Sequence, residues 1–406
     1  MPLTVLTDAD VRTLLHSLTR DDIVTLQHNL AETLHEYSTG TQETTACCST
    51  NQPQRISITG NNGQTTLFMP ANTSTSTGVK IISLAAAPVP GSDSSSINST
   101  FTPPPSLASS QSTTPTGSLT LLDSSGTPLG FINAEELTAF RTALASSLIF
   151  SRRSSVHSIA VFGAGKQAYW HIRVALLLRG PEIHYVNIIN RSFARAQPLM
   201  EEIYTSDEWA NVRSPKLKVT ILSADYGEYA RLCKEHVRSA DVVFMTTPST
   251  APLFPAEYLT STEGRRKGRY ISAIGSYKPH MVELHPDILR HTVKPPHGHH
   301  FHKHADKGGV VVVDSIEACL KEAGEVIQAG LGPEQLVEVG ELLMVKKAAM
   351  KDLEMGGEGE KGMKRWLEAG NVLYKSVGLG LMDLCVGEDI VDLARERKVG
   401  TTIEDF

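Results

Sequence analysis

Apolar positions recur along this chain with two spacings, and the spacing predicts where helices and strands lie. Apolar residues three and four apart predict two N-terminal helices, the first of them capped by Thr7. A third helix is predicted from Asn133 to about Phe150, with Glu136 completing a capping-box pattern. Shorter apolar runs predict five strands before that helix: Arg55–Thr59, Thr65–Met69, Val79–Leu84, Ser118–Leu122 and Pro128–Ile132.

The most informative stretch is Val156–Ala196, which reads as strand, glycine turn, helix and strand. A strand-length apolar run leads into Gly163-Ala164-Gly165, and a second apolar run follows the helix. This order is typical of a dinucleotide-binding fold. Gly163 permits the tight turn, Gly165 lets the backbone approach a pyrophosphate, and Ala168 lets the helix pack closely on the strand.

The end of the second strand indicates which nicotinamide cofactor is preferred. Chains that bind NAD usually carry Asp or Glu there, which accepts hydrogen bonds from the ribose 2′-hydroxyl. Here the residues are Asn190, Arg191 and Ser192, and a guanidinium can pair with a 2′-phosphate. We therefore expect NADP(H) to be favoured, with NAD(H) as the alternative. The other interpretation of Arg191 is a solvated turn residue.

The chain continues as alternating strands and helices, which predicts the α/β class. Four apolar runs are expected to join one mostly parallel sheet: Leu217–Leu222, Asp241–Thr246, Tyr270–Ile274 and Val310–Val313. Helices are then predicted over Ile316–Ala329, from Pro333 to about Lys351, and from near Gly378 to Arg397. Glu354–Gly362 is predicted to be a charged, glycine-rich connection.

Two segments have unusual composition. Residues 91–117 are mainly Ser, Thr and Pro, with almost nothing to bury, and we expect a disordered insertion. His291–His304 holds six histidines within fourteen residues. A metal cluster is one interpretation of these histidines, but their spacing matches no defined site and favours a loose surface loop. We therefore predict no metal centre.

Composition narrows the class of protein. A length of 406 residues suggests two or three domains. The net charge of -6 gives no general reason to expect nucleic-acid or anionic-membrane partners, and no apolar run is long enough to cross a bilayer. The five cysteines have no paired spacing, which favours neither a disulfide framework nor a zinc site. Since the N-terminus also lacks a signal-peptide layout, we expect a cytoplasmic protein.

Eight short motifs carry a resemblance to a known family. In chain order they are Gln54-Arg55-Ile56, Leu67-Phe68-Met69-Pro70, Gly78-Val79-Lys80-Ile81, Leu137-Thr138-Ala139-Phe140-Arg141-Thr142, Gly163–Ala168, Ile274-Gly275-Ser276-Tyr277-Lys278-Pro279, Val313-Asp314-Ser315 and Lys375-Ser376-Val377-Gly378. In this order the chain resembles the ornithine cyclodeaminase and mu-crystallin family, which includes alanine dehydrogenases and ketimine reductases. The resemblance implies a homodimer that acts on a small amino or imino acid.

The resemblance also implies how the chain is divided. A Rossmann-type, doubly wound nucleotide-binding domain (136–345) would be inserted in an α+β substrate-binding and dimerisation domain (1–135). The C-terminal helices (346–406) would return to that first domain. The active site would lie in the cleft between the two domains, beside the nicotinamide.

Three cations match the family positions that hold the α-carboxylate of the substrate: Arg55, Lys80 and Arg141. Arginine is a good bidentate partner for a carboxylate, and a cation in an apolar element is costly without an anion. The alternative is that each is a surface cation or is paired with a structural carboxylate. Next to two arginines in a closed apolar site, the pKa of Lys80 should fall, which would let it exchange a proton with the reacting nitrogen.

The glycine turn and the strand tip predict cofactor contacts at Gly163, Ala164, Gly165, Gln167 and Ala168 and at Asn190, Arg191 and Ser192. The resemblance adds two further segments, Thr247-Pro248-Ser249 and Val377-Gly378. For Thr247 and Ser249, ordinary capping of a loop is the alternative.

Tyr277 is the main departure from the family pattern, because ornithine cyclodeaminases have an Asp there. Tyrosine is a poor base at neutral pH, with an ordinary pKa of roughly 10. This counts against ornithine deamination, and we place Tyr277 with the three cations in the catalytic set. We expect NAD(P)H-dependent reduction of the C=N bond of a ketimine carboxylate. The alternatives are a cyclodeaminase that uses NAD and a non-catalytic, NADPH-dependent binder of small ligands.

Overall fold

The computed structural model describes residues 2–40, 52–61, 64–84, 115–294, 309–343 and 358–406. The strands are β1 Leu3–Leu6, β2 Ile56–Thr59, β3 Thr65–Asn72, β4 Ser76–Leu84, β5 Thr116–Asp123, β6 Pro128–Asn133, β7 Ser158–Phe162, β8 Tyr185–Asn190, β9 Lys218–Ser223, β10 Val242–Met245, β11 Tyr270–Ala273, β12 Val311–Val313, β13 Leu336–Glu338, β14 Val372–Lys375 and β15 Thr401–Ile403. The helices are α1 Asp8–His16, α2 Arg20–Thr39, α3 Ala134–Phe150, α4 Lys166–Arg179, α5 Phe193–Thr205, α6 Asp207–Ala210, α7 Tyr229–Ser239, α8 Glu257–Thr260, α9 Pro286–Thr292, α10 Ile316–Glu322, α11 Gly324–Ala329, a helix over Glu358–Ala369, and the C-terminal helix Gly380–Arg397.

The larger sheet has the strand order β13-β12-β14-β11-β10-β7-β8-β9, and all its neighbouring strands are parallel. Trp170 of α4 and Cys233 of α7 belong to separate apolar clusters. The chain order reverses between β7 and β10, and in such sheets the carboxyl ends of the strands at the reversal border a crevice for ligands. The predicted α/β class with a Rossmann-type sheet is confirmed.

The smaller sheet has the strand order β15-β1-β6-β5-β4-β3-β2. β1 and β6 are parallel, and the other pairs are antiparallel. The C-terminal helix packs against β3, β4 and α2, and its buried Leu384 and Ile390 join the apolar cluster that contains Leu121 of β5. This packing brings the end of the chain back to strands formed near its beginning.

The five strands predicted before α3 are confirmed, and β3, β4 and β5 are longer than the pattern indicates. Thr116 and Gly117 are an exception to the predicted insertion at 91–117, because they pair with Ser83 and Ile82 of β4. Residues 91–114 of that insertion lie outside the described residues. The sequence pattern does not reveal β1 or β15, since each is too short to display a period.

The predicted helix from Pro333 is wrong at its start, whereas residues 339–343 are helical as predicted. Pro333–Gln335 form a single 3-10 turn, and Leu336–Glu338 then pair in parallel with β12. Pairing at the edge of the sheet buries Leu336 and Val337 and satisfies backbone groups that β12 would otherwise expose. Residues 344–351 of the prediction lie outside the described residues.

The helix predicted over Ile316–Ala329 is in fact two helices, α10 and α11. The break falls beside Gly324, where a Cβ would lie 2.0 Å from the carbonyl oxygen of Met281. This close approach of two backbones interrupts an otherwise regular helical pattern.

The segment 346–406 is predicted to contain only helices that return to the first domain. In the structure this segment also contributes β14, which lies between β11 and β12 in the larger sheet. The predicted connection Glu354–Gly362 overlaps the helix Glu358–Ala369, whose Met363 and Trp366 are buried. Residues 354–357 lie outside the described residues.

The start of α3 has a different capping arrangement from the predicted box. Asn133 caps the helix by accepting a hydrogen bond from the backbone N–H of Glu135 at 2.9 Å. Glu136 is buried instead, where it accepts from Trp170 Nε1 at 2.6 Å and pairs with Lys166 Nζ at 2.7 Å. Glu136 therefore ties α3 to α4 rather than closing the cap.

Replacing Gly163 with alanine is expected to destabilise the fold. The residue has a φ of 108°, and a Cβ would lie 2.7 Å from Thr246 Oγ1. We expect urea denaturation to show a loss of about 1–3 kcal/mol in the free energy of unfolding. Gly165→Ala is the control, since a Cβ at Gly165 meets nothing within 4 Å. Equal losses in the two variants would contradict the steric explanation.

Candidate active site

A cleft of about 200 Å³ lies at the carboxyl ends of the strands of the larger sheet, where residues from β3, β4 and α3 face it. Residues that follow β7, β10, β11 and β14 form one wall, and they include Gly165, Thr246, Gly275 and Gly378. This is the crevice that the reversal of strand order predicts.

Two of the predicted cations meet on a buried carboxylate at this cleft. Lys80 Nζ lies 2.7 Å from Asp383 Oδ1, and Arg141 Nε lies 3.1 Å from the same oxygen. Lys80 comes from β4, Arg141 from α3 and Asp383 from the C-terminal helix, and all three are buried. We call these three residues the charged cluster. With Lys80 protonated, two cations against one carboxylate leave it a net charge of +1.

Asp383 is a site residue that the sequence analysis misses. A signal for it exists, because Asp383 stands between Met382 and Leu384 in the apolar part of a helix. A carboxylate in such a place requires a partner cation. The pattern indicates a buried partner without saying which cation it is.

Burial lowers the pKa of Lys80 to about 8, and the nearby charges of Arg141 and Arg55 add to that effect. Asp383 opposes it by stabilising the ammonium form. Lys80 is therefore mainly protonated at neutral pH, and its pKa lies only about one unit above that pH. A lysine in this range can give a proton to a reacting nitrogen and regain it.

Arg141 is further constrained by the loop after β14. Its Nη1 group lies 3.5 Å from the sulfur of Met382. Gly378 has a φ of 90°, and a Cβ there would lie 2.9 Å from Arg141 Nη2. Only glycine accommodates both the backbone conformation and the guanidinium at this point.

Arg55 borders the same cleft but pairs with a different carboxylate. Its Nε donates to Glu322 Oε1 at 2.9 Å, its Nη2 donates to Glu322 Oε2, and Nη2 also donates to the carbonyl of Tyr277 at 3.3 Å. The structure thus brings all three predicted cations to one cleft but gives only two of them a shared carboxylate.

The ring of Tyr277 lies in the cleft wall, against the apolar cluster that contains Leu67, Met69 and Ile82. Burial raises the pKa of its hydroxyl above the ordinary value, and Arg55 partly opposes this shift. A raised pKa keeps Tyr277 in its neutral form, so little phenolate is present to act as a base and the hydroxyl can donate a hydrogen bond.

Two buried carboxylates fix the loops on the nucleotide side of the cleft. Asp314 Oδ2 accepts hydrogen bonds from Ser376 Oγ at 2.6 Å, Val377 N at 3.0 Å and Gly378 N at 2.7 Å. Asp314 lies in a family motif, but the sequence analysis gives it no role in the site. Its contacts explain why an acid stands at the end of β12.

Glu283 has the same function for the loops after β10 and β11. It accepts hydrogen bonds from the backbone of Thr247 at 2.7 Å and of Gly275 at 2.7 Å, and also from the Thr247 hydroxyl at 3.0 Å. Burial raises the pKa of Glu283 to about 7, and buried Lys375 opposes the rise. No sequence signal singles out Glu283.

The glycine turn and α4 provide the features expected of a nucleotide site. Gly165 precedes α4, so the first backbone N–H groups of that helix lie beside it. Gln167 borders the cleft, and its buried Oε1 atom has no hydrogen-bond partner among the described residues. Ala168 is buried and Ala164 is half-buried. A ribose or amide donor would satisfy Gln167, so these residues fit a dinucleotide.

A model of the Ornithine cyclodeaminase/mu-crystallin family matches residues 99–398. The chain belongs to this family. The Delta(1)-pyrroline-2-carboxylate reductase of Bacillus cereus is 27% identical over 289 residues, covering 69% of this chain and 71% of that reductase. Ketimine reductase mu-crystallin of Macropus fuliginosus is 26% identical over 286 residues, with 69% and 71% covered. These relatives are oxidoreductases by name.

A solved structure gives the same fold. An archaeal alanine dehydrogenase dimer with bound NAD has a TM-score of 0.67 and 19% identity, and the match covers 100% of both chains. At this identity the likeness shows the fold alone.

The predicted cofactor positions differ in where they lie. Gly165, Gln167, Pro248, Val377 and Gly378 border the cleft. Thr247 is bonded to Glu283, and the hydroxyl of Ser249 donates to the carbonyl of Ala251 at 2.6 Å, which agrees with loop capping for both. Thr246, which the sequence analysis does not single out, also borders the cleft.

The predicted tip at the end of β8 is a tight turn. Asn190 Nδ2 donates to the carbonyl of Ser192 at 2.8 Å, and the residue between them, Arg191, is exposed. Asn190 therefore shapes the turn that presents Arg191.

Three further expectations concern metals, membranes and the histidine segment. His291 ends α9 beside Arg265, and residues 295–304 lie outside the described residues. Within the described ranges, no group of His, Cys, Asp and Glu side chains is arranged to hold a metal ion. None of the helices described here is long and apolar enough to span a membrane.

Asp383→Asn is expected to shift the titration of Lys80. Because Asp383 stabilises the ammonium form, its neutral replacement should lower the pKa of Lys80 by about one unit or more. In the wild type, Lys80 should titrate near pH 8. In the variant its midpoint should lie at a lower pH, as measured by NMR titration of the labelled lysine.

Asp392→Asn is the matched control for this experiment. Asp392 lies on the same helix with a side chain that is 80% exposed. It should leave the pH dependence unchanged. An unshifted profile in Asp383→Asn would refute the electrostatic role of Asp383.

Proposed function

We propose that this chain reduces the C=N bond of a ketimine carboxylate with a reduced nicotinamide cofactor, and that it prefers NADPH. The charged cluster is the observation that carries the proposal. It has a net charge of +1 at the edge of an apolar cleft, beside the glycine turn of a Rossmann-type sheet. Such a site suits one carboxylate attached to a small hydrocarbon.

The cofactor would be held by residues on the larger sheet. The N–H groups at the start of α4 would bind the pyrophosphate of the cofactor. Gln167 Oε1 would accept a hydrogen bond from a ribose or amide group of the cofactor. The loops after β10 and β14 would lie beside the nicotinamide, fixed by Glu283 and Asp314. The bound nicotinamide supplies the hydride.

The substrate carboxylate would be bound by Lys80 and Arg141. Asp383 engages one proton of Lys80 Nζ and the Nε–H of Arg141. Among the described residues, Lys80 and Arg141 make no hydrogen bond to an oxygen other than those to Asp383, so their remaining N–H groups would be available to an anion. Leu67, Met69 and Ile82 form an apolar wall for the rest of the substrate.

Proton transfer would come from Lys80. Reduction adds a hydride to the imine carbon and a proton to the nitrogen, so the site must supply an acid. With a pKa of about 8, Lys80 is charged at neutral pH and gives up its proton readily. Exchange with solvent would then restore the ammonium.

The cyclodeaminase alternative has less support. Among the described cleft-lining residues, Glu135 is the one carboxylate, and it pairs with Lys166 at 2.7 Å. Tyr277 stands where ornithine cyclodeaminases have an Asp, and its raised pKa keeps it neutral, with little phenolate to serve as a base. An attacking or departing amine would therefore lack a carboxylate partner.

Assembly and location follow from separate observations. Ile56 and Ile58 of the end strand β2 are 61% and 57% exposed, and a second copy of the chain could cover them. The alanine dehydrogenase named above is a dimer, and we propose a homodimer here.

Cys233, Cys319 and Cys385 are buried without disulfides, which supports a reducing compartment such as the cytoplasm.

Activity is tested by adding a cyclic ketimine carboxylate and NADPH to the purified protein and following nicotinamide absorbance. The wild type should consume NADPH. Lys80→Met should lower kcat/KM by about 10²- to 10⁴-fold, because it removes both the proton donor and a carboxylate partner. Release of ammonia from ornithine with NAD would instead support a cyclodeaminase. Tight NADPH binding without turnover would support a ligand-binding protein.

Cofactor choice is tested at the end of β8. Arg191→Ala should weaken NADPH binding by about tenfold, because an Arg–phosphate pair is lost, and should leave NADH binding unchanged. Arg231→Ala removes an exposed arginine from α7 and is the control. Dissociation constants from fluorescence titration decide the matter, and equal effects on the two cofactors would count against a 2′-phosphate contact.

A further inference from the structure

Arg55 differs from the other two cations because a carboxylate of the larger-sheet half already neutralises it. Arg55 precedes β2, and Glu322 is the last residue of α10. The bidentate pair joins these elements beside the cleft. The side chains are 20% and 27% exposed, so the pair is partly withdrawn from water.

A smaller cleft of about 130 Å³ adjoins the main one, and Arg55, Met69 and Gly378 border both. Glu322 borders the smaller cleft. Arg55 therefore stands between the space proposed for the substrate and the carboxylate of Glu322. With Lys80 and Arg141 proposed to hold the α-carboxylate, Arg55 is a cation of the same cleft that a second anion could meet.

The net positive charge at the cleft is enough to pair with one anion only. The charged cluster has a net charge of +1, and the α-carboxylate of the substrate would use it. The Arg55–Glu322 pair adds no net charge, because its positive and negative charges cancel. Lys166, which also lines the cleft, is already paired with both Glu135 and Glu136, so it offers no charge to a second anion, and Tyr277 is uncharged.

We propose that Glu322 makes the site selective for substrates with a single carboxylate, by occupying the arginine that would otherwise bind a second one. The proposal rests on the proposed ketimine reduction. A second carboxylate on the side chain would meet either the apolar wall or the negative charge of Glu322. Burial of an unpaired carboxylate costs several kcal/mol, which corresponds to a discrimination of about 100-fold or more.

A structural role for the same pair makes a different prediction. If Glu322 only ties α10 to the start of β2, its removal should impair all substrates alike. If it excludes a second anion, its removal should change the ratio between substrates. The informative readout is therefore the ratio of kcat/KM for a substrate with one carboxylate to kcat/KM for a substrate with two. The separate KM values show whether a change in this ratio comes from binding.

The test compares two imines that differ at one end. Ammonia with 2-oxobutyrate gives an imine with a terminal methyl group, and ammonia with oxaloacetate gives one with a terminal carboxylate. The wild type should favour the first by about 100-fold in kcat/KM. Glu322→Gln should reduce that preference by about tenfold, mainly by lowering KM for the dicarboxylate, because Arg55 is then available.

Glu317→Gln is the matched control. It removes a carboxylate from the same helix, where Glu317 is 67% exposed and pairs with Lys321 at 2.7 Å. The control should keep the wild-type preference. A preference that Glu322→Gln leaves unchanged, or a wild type that favours the dicarboxylate, would overturn the proposal.

A binding measurement separates this proposal from the proposed reaction. With NADP⁺ present, calorimetry can compare L-2-aminobutyrate with L-aspartate in the wild type and in Glu322→Gln. The proposed reaction is judged separately with the cyclic ketimine and NADPH, and it fails if that imine is not reduced. A gain in L-aspartate affinity in the variant would still support Glu322 as the excluding group, and no gain would refute it.

Discussion

One carboxylate oxygen, Asp383 Oδ1, holds two cations at the edge of an apolar cleft, and the candidate site depends on this contact. Lys80 and Arg141 come from a strand and a helix of the N-terminal half, where an uncompensated charge would be costly. Asp383 lowers that cost without cancelling both charges. Because it lies on the C-terminal helix, the packing of that helix on the smaller sheet also sets the electrostatics of the site.

Buried acids play the same physical part on the other wall of the cleft. Asp314 and Glu283 accept hydrogen bonds from the loops after β14, β10 and β11, and so hold the backbone that faces the proposed nicotinamide. Such loops would otherwise be mobile at the ends of the strands. Fixing them before ligands bind reduces the ordering cost of binding. Elements distant in sequence thus converge on a preorganised site.

Local sequence patterns predicted many of the secondary-structure elements and several site residues, but they did not predict which distant residues pair with each other. The glycine turn at Gly163, the strand that follows Arg55 and the strand that carries Lys80 have strong local signals, and they lie where expected. Asp383 is 303 residues from Lys80, and Glu322 is 267 residues from Arg55, so no periodicity connects them. The start of the helix predicted from Pro333 failed for a related reason. Pairing with β12 decided the conformation of Leu336–Glu338, and helical spacing could not reveal that partner.

The protonation state of Lys80 links the geometry of the site to the direction of the reaction. Imine reduction consumes a proton at nitrogen, and amine oxidation releases one. With a pKa of about 8, Lys80 is an acid at neutral pH and becomes a base in more alkaline solution. Asp383 shifts this balance toward the acid, and the two arginines shift it toward the base. In the proposed reaction, this ammonium would therefore supply a proton donor for reduction near neutrality, and its neutral form would supply a base for amine oxidation at higher pH.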